Sequence, residues 1–231
     1  EKIFLRQLLK FQIPSPYHNP TENSAEFWVK PYLELFRLVR HFGSLKFDEL
    51  RIFGLQLVDY REFDTIVEKI NHFRVAKAQN EGNYKQFRAE YLDAELRDIY
   101  SVDINSGNTR TRETTDASIA KFLSTKASNM RDYADACIRY LRATGLVNIS
   151  HLGKSISIVP EKIQEVDYFL QNADREPCFI DNERQYVEYL GNPQIPTLLT
   201  DNRELLEEKI RAEFPQLQIP VTATLQELKN L

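Results

Sequence analysis

Apolar positions recur with helical spacing along most of this chain, broken by prolines and once by an alternating stretch. Residues 1–11 (EKIFLRQLLKF) are amphipathic with mixed charge and predict a helix. Pro14, Pro16 and Pro20 forbid regular helix before Pro31. Pro31 suits the first turn of a helix over residues 31–42, whose Leu35, Leu38, Val39 and Phe42 make one stripe. Gly43-Ser44-Leu45 breaks that helix. Residues 47–57 predict a second helix, and residues 60–78 a third with Phe63, Ile66, Val67, Ile70 and Phe73 as its ridge. Two short helices across a Gly-containing turn, followed by a third, are the parts of a helix-turn-helix lobe. Residues 83–100 read as helix; residues 103–116, without a large apolar side chain after Ile104, read as a loop.

The period changes over residues 129–160. Met130, Ala134, Cys137, Ile138 and Leu141 share one helical face, while Arg131, Asp135, Arg139 and Arg142 share another. Thr144-Gly145 closes the helix. Leu146, Val147 and Ile149 alternate into a strand, and Ile156, Ile158 and Val159 form its hairpin partner after a turn at Gly153. A helix running into such a hairpin is the closing half of a winged helix, a module that presents that helix to the DNA major groove. Beyond it, residues 161–171 predict a helix, and three acidic helices follow over residues 183–190, 201–214 and 224–231, punctuated by prolines. The expected fold class is mainly α, with helix-turn-helix and winged-helix lobes, one short β-hairpin wing and a helical linker. The composition shift near Ala173 divides it into a body over residues 1–172 and a linker over residues 173–231.

Composition bounds the function. The 231 residues suffice for one large or two small domains. With 42% hydrophobic and 28% charged residues, and no apolar run near the ~20 residues that span a bilayer, no membrane partner is expected. The opening at Glu1, already in amphipathic helix, is not a signal peptide and reads as an internal cut from a longer protein. Cys137 and Cys178 are too few for a disulfide framework and lack metal-ligand spacing, so a reducing cytoplasm is the expected setting. The net charge of −4 conceals a division: residues 110–154 hold 8 Lys/Arg against 4 Asp/Glu, and residues 155–231 hold 7 against 14. Phosphate attraction is local, so a basic segment can bind nucleic acid on an acidic protein.

In order along the chain, FLRQLLKFQIPSPYH, KPYLELFRLVRHFG, FDTIVEKINHFR, STKASNMRDYADACIRYLRATGLV and EYLGNPQIP resemble the DNA-recognition region of the AlwI-type family of type IIS restriction endonucleases and their strand-nicking relatives. The resemblance spans residues 3–206. It implies helix-turn-helix and winged-helix lobes, double-stranded DNA as partner, and a linker to a separate C-terminal nuclease domain that uses Mg²⁺. It leaves open a second nuclease subunit or a transient dimer formed through that domain.

No cofactor is expected within these residues. Nucleases of this kind hold Mg²⁺ with Pro-Asp followed by Asp/Glu-x-Lys on adjacent strands. There is no Pro-Asp pair, and Glu207-x-Lys209 and Glu227-x-Lys229 lie in helical, acidic surroundings. His18, His41, His72 and His151 are scattered, and no Gly-x-Ser-x-Gly or phosphate-binding Gly-rich loop occurs. No catalytic residue is assigned, and the cutting chemistry is expected beyond Leu231.

Residues 124–132 (STKASNMRD) lead into the helix, and the start of a recognition helix usually faces base edges. Lys126, Asn129, Arg131 and Asp132 lie there and match the family's pattern; arginine suits guanine, asparagine adenine, and a carboxylate cytosine. Capping or a pair with Arg131 is the alternative for Asn129 and Asp132, accounting nearly as well for Asp132, and a pair with Asp135 is the alternative for Arg131. Lys121, Arg139, Arg142 and Lys154 are expected phosphate contacts, as are Arg110 and Arg112 in the loop. Arg142 also suits a helix C-terminus. A winged-helix scaffold that binds another protein is the rival reading, favoured by the acidic tail.

Overall fold

Helix α1 (Lys2–Lys10) buries Leu5, Leu8 and Leu9, and α2 (Pro31–Phe42) starts on a proline whose missing N–H costs nothing at that position. The computed structural model describes residues 2–17, 27–106, 115–152, 154–220 and 223–229. Gly43 ends α2 at φ 67°, a left-handed conformation that disfavours a side chain. Strand β1 (Ser44–Lys46) follows and leads into α3 (Phe47–Ile52), whose Glu49 carboxylate accepts from the Lys46 N–H at 2.8 Å. Next come α4 (Phe63–Gln79), α5 (Tyr84–Ile99) and α6 (Ser101–Asn105). Helix α7 (Asp116–Ala143) then runs into β2 (Val147–Ser150) and β3 (Ser155–Ile158). The chain continues as α8 (Ile163–Asn172), α9 (Glu183–Gly191), α10 (Arg203–Glu213) and α11 (Leu225–Lys229).

The fold is mainly helical with one small sheet, in the order β1-β3-β2, antiparallel throughout. The expected hairpin forms as β2–β3, and β1 adds a third strand where a break was expected. Leu45, expected as part of a break, pairs with Ile156, which also faces Ile149 on the other side. Leu45 and Ile156 are both fully buried, so a three-residue strand is held by a partner far along the chain. A second correction concerns the expected lobe of three consecutive helices. The helix that α3 packs against most closely is α7, and α4, α5 and α6 are inserted between them. Helix α6 also occupies the start of the region expected to be a loop.

Most buried side chains join one core, in which Phe36 of α2 meets Phe169 of α8 edge to face at 5.3 Å. Phe73 of α4 ties Phe53 and Tyr91 together at 5.6 and 5.0 Å. Residues 173–201, expected as linker, are held on this body. Arg175 grips the buried Glu34 of α2, and Arg6 of α1 pairs with Asp201. The Lys10 ammonium donates to the carbonyls of Tyr189 and Asn192 at 2.6 and 2.7 Å. Ile210, Ala223 and Leu228 form a small cluster of their own beyond.

Candidate nucleic-acid interface

Helix α7 carries most of the expected contact residues. Thr115 caps it, accepting from the Ser118 N–H at 3.3 Å, and Asp116 complements the dipole in the first turn. At the far end the Thr144 hydroxyl donates to the Leu141 carbonyl at 2.6 Å, and Gly145 at φ 70° turns the chain into β2. Leu123, Ala134, Ile138 and Leu141 are buried along the inner face. With 28 residues rising about 1.5 Å each, the helix is about 42 Å long.

Its start lies well before the expected one. Lys126, Asn129, Arg131 and Asp132 therefore stand in the middle of a helix, not at its N-terminal end. Ser124, Ser128 and Asn129 resemble cap residues, but Leu123 continues the buried stripe upstream and Thr115 supplies the cap, so nothing interrupts the helix between them.

Lys121, Asn129, Asp132, Arg139 and Arg142 are exposed on the outer side of α7. Helical spacing puts Lys121, Asp132 and Arg139 on a common line, with Asn129 flanking it. Lys126 departs from this strip. Its ammonium lies 4.5 Å from the Tyr100 ring centre and 5.1 Å from that of Phe122. Arg142 sits in the last turn, where it also complements the helix dipole. Lys154 is exposed at the β2–β3 tip in a left-handed conformation, φ 44°, and its carbonyl accepts from the Phe47 N–H at 2.8 Å. The tip is thereby fastened to the start of α3. Arg110 and Arg112 lie outside the described residues.

The pair with Asp135, the alternative role for Arg131, does not form. Asp135 accepts from Arg51 of α3 at 2.9 Å, whereas Arg131 reaches Ser128 at 3.1 Å and Asp132 at 3.4 Å. Sequence reasoning missed Arg51 and Arg88, which join Arg131 around a cleft between α3, α5 and α7. No sequence signal marks them, because three helices remote in the chain build the cleft.

The carboxylates of the two Glu-x-Lys stretches already have other partners. Glu207 is engaged by Arg203 at 2.7 Å and Arg211 at 3.2 Å, and Glu227 by the Thr224 N–H and hydroxyl at 2.7 and 2.9 Å. Lys229 pairs with Asp201 at 2.8 Å instead of standing beside Glu227. Among the described residues, no three His, Cys, Asp or Glu side chains are grouped to hold a metal ion, and no helix is long and apolar enough to cross a membrane.

Comparison with known families completes the description. A restriction endonuclease model matches residues 1–229, which defines the class as restriction enzyme, with DNA as the substrate. The chain belongs to the AlwI restriction endonuclease family. No curated protein matches it.

Proposed function

We propose that this chain is the double-stranded DNA recognition module of a type IIS or strand-nicking endonuclease. The observation that carries the reading is the order α2-β1-α3, then α7-β2-β3, with the sheet arranged β1-β3-β2 and an exposed polar, cation-bearing strip on α7 beside the hairpin. In this reading α2, α3 and α7 are the three helices of a winged helix, and α4–α6 are an insertion between its second and third. The outer strip of α7 lies along the major groove, which is about 12 Å wide and admits one helix. Asn129 and Asp132 face base edges, Lys121, Arg139 and Arg142 face phosphates, and the Lys154 tip grips the flanking backbone. Arg110 and Arg112 belong to the same basic segment and are assigned to phosphate.

Cleavage is assigned to a nuclease domain outside residues 1–231, where Mg²⁺ and its carboxylates would reside. Residues 202–231 are assigned as the helical segment leading to it, and a second nuclease subunit or transient dimer would be recruited through that domain. The test is binding and cutting by this chain alone. Duplex binding whose affinity falls steeply with salt, together with intact supercoiled plasmid after incubation with Mg²⁺, is the expected result. Duplex binding too weak to detect even at low salt would favour the protein-scaffold reading. Nicking abolished by Glu207→Ala would place the chemistry within the chain.

A further inference from the structure

The cleft between α3, α5 and α7 has a composition that a structural cavity does not need. It encloses about 340 Å³, well beyond the ~30 Å³ occupied by a water molecule. Its lining holds three arginines, Arg51, Arg88 and Arg131, with Ser124, Ser128 and Asp48, while Asp135 and Asp132 pair with Arg51 and Arg131. A cavity serving only packing would be lined by apolar groups.

Asp48 acts as a hub. It accepts from the Tyr84 hydroxyl at 2.7 Å and Arg88 at 3.0 Å, and lies 3.8 Å from Arg51. Asp135 fixes Arg51 from the other side at 2.9 Å. Two guanidinium groups from different helices are thus held in place before any ligand arrives, which lowers the ordering cost of binding. Arg51 Nε is buried without a hydrogen-bond partner. Arg131 stands at the same cleft, joined among the described residues to Ser128 and, at 3.4 Å, to Asp132 on its own helix. Planar guanidinium forks with adjacent hydroxyls suit a tetrahedral oxyanion.

We propose that this cleft is a phosphate-binding site which seats one backbone phosphate of duplex DNA at the edge of the α7 strip, with Arg51, Arg88 and Arg131 closing on it. The inference rests on the DNA-recognition reading and deepens it. It reassigns Arg131 from base reading to phosphate contact, and it adds Arg51 and Arg88, which lie outside the basic segment.

The test uses the whole chain and a short random-sequence duplex, because a phosphate contact is independent of sequence. Arg88→Ala and Arg131→Ala should each weaken binding, while the phosphate still held by the remaining arginines keeps most of its share of the slope of log affinity against log salt. If both side chains grip one phosphate, the double variant loses about one unit in all. Loss of about two would put them on separate phosphates and overturn the shared site. Arg88→Lys keeps the charge but not the fork, so it should retain the slope and bind more weakly. Equal helix content by circular dichroism separates these effects from unfolding.

Unchanged affinity and slope in the double variant, with wild-type binding intact, would overturn the cleft and leave DNA recognition standing. If the wild type binds no duplex, DNA recognition fails, and titration with inorganic phosphate decides the cleft. Saturable amide shifts at Ser124, Ser128 and Arg131, lost in Arg88→Ala, would retain a phosphate site for a free anion; a flat titration would overturn it.

Discussion

The Glu34 carboxylate, fully buried in α2, receives both arms of Arg175, with Nε at 2.9 Å and a terminal nitrogen at 2.8 Å. Arg175 also donates to the Tyr60 carbonyl at 2.9 Å, so one side chain joins α2, the turn before α4 and the chain beyond α8. A buried carboxylate left alone is costly, whereas a bidentate guanidinium satisfies most of its acceptor capacity.

Arg175→Ala should therefore destabilise the fold by about 3 kcal/mol. That is the low end of the range for breaking a buried pair, because Arg175 keeps 33% of its side chain in solvent. Ending the chain at Asn172 removes Arg175 and also the partners of Lys10 and Arg6. The truncated chain should melt well below the full one. A truncated chain that melts unchanged would make the boundary near Ala173 a true domain edge.

Much of the helical framework was legible because stripes such as Phe63, Ile66, Val67, Ile70 and Phe73 announce their own buried faces. The C-terminal attachment was not, because Lys10, Glu34 and Arg175 are residue types that hydropathy assigns to the surface. Their burial is decided by pairing across the chain. Strand β1 was hidden for a related reason: three residues carry no period, and their partner β3 lies beyond α3 to α7 and β2. The start of α7 was obscured by Ser124, Ser128 and Asn129, whose side chains suit caps and mid-helix sites alike. Of the candidate site, the outer strip of α7 and the hairpin tip were legible from spacing, while Arg51 and Arg88 became neighbours of Arg131 only through tertiary packing.

The two cysteines should differ in reactivity. Burial pushes the Cys137 thiol up to about 11, so its thiolate is scarce at neutral pH, whereas Cys178 is exposed. An aryl disulfide reagent at pH 8 should label Cys178 in the native protein and Cys137 only after denaturation. Rapid native labelling of both would show that α7 opens away from the core.

Lys10 makes stability depend on pH. Burial, and then the charge of Arg6, lower its ammonium to about 8, against ~10.4 in the unfolded chain. Between those values the unfolded state holds the extra proton, so stability rises with pH across that window. The stability of wild type minus that of Lys10→Met should climb from about pH 8 towards 10 and stay flat below. A flat difference throughout would show that the Tyr189 and Asn192 carbonyls keep the ammonium charged.

Asn129 and Lys154 separate reading from holding. Asn129 is exposed mid-helix on α7, with a side-chain amide suited to adenine N6 and N7, whereas Lys154 offers a point charge at the hairpin tip. Selection from a random duplex pool supplies the preferred site. On it, Asn129→Ala should cost about 1–3 kcal/mol and relax the preference at one base pair, with little effect on random duplex. Lys154→Gly should weaken binding to both DNAs alike and lower the salt slope by about one unit. Glycine is the informative replacement, because Lys154 stands at φ 44° and glycine adopts that conformation without strain. The melting temperature should therefore hold while the charge is lost. Equal losses from Asn129→Ala on preferred and random DNA would move Asn129 to the backbone, and an unchanged slope in Lys154→Gly would take the hairpin out of the interface.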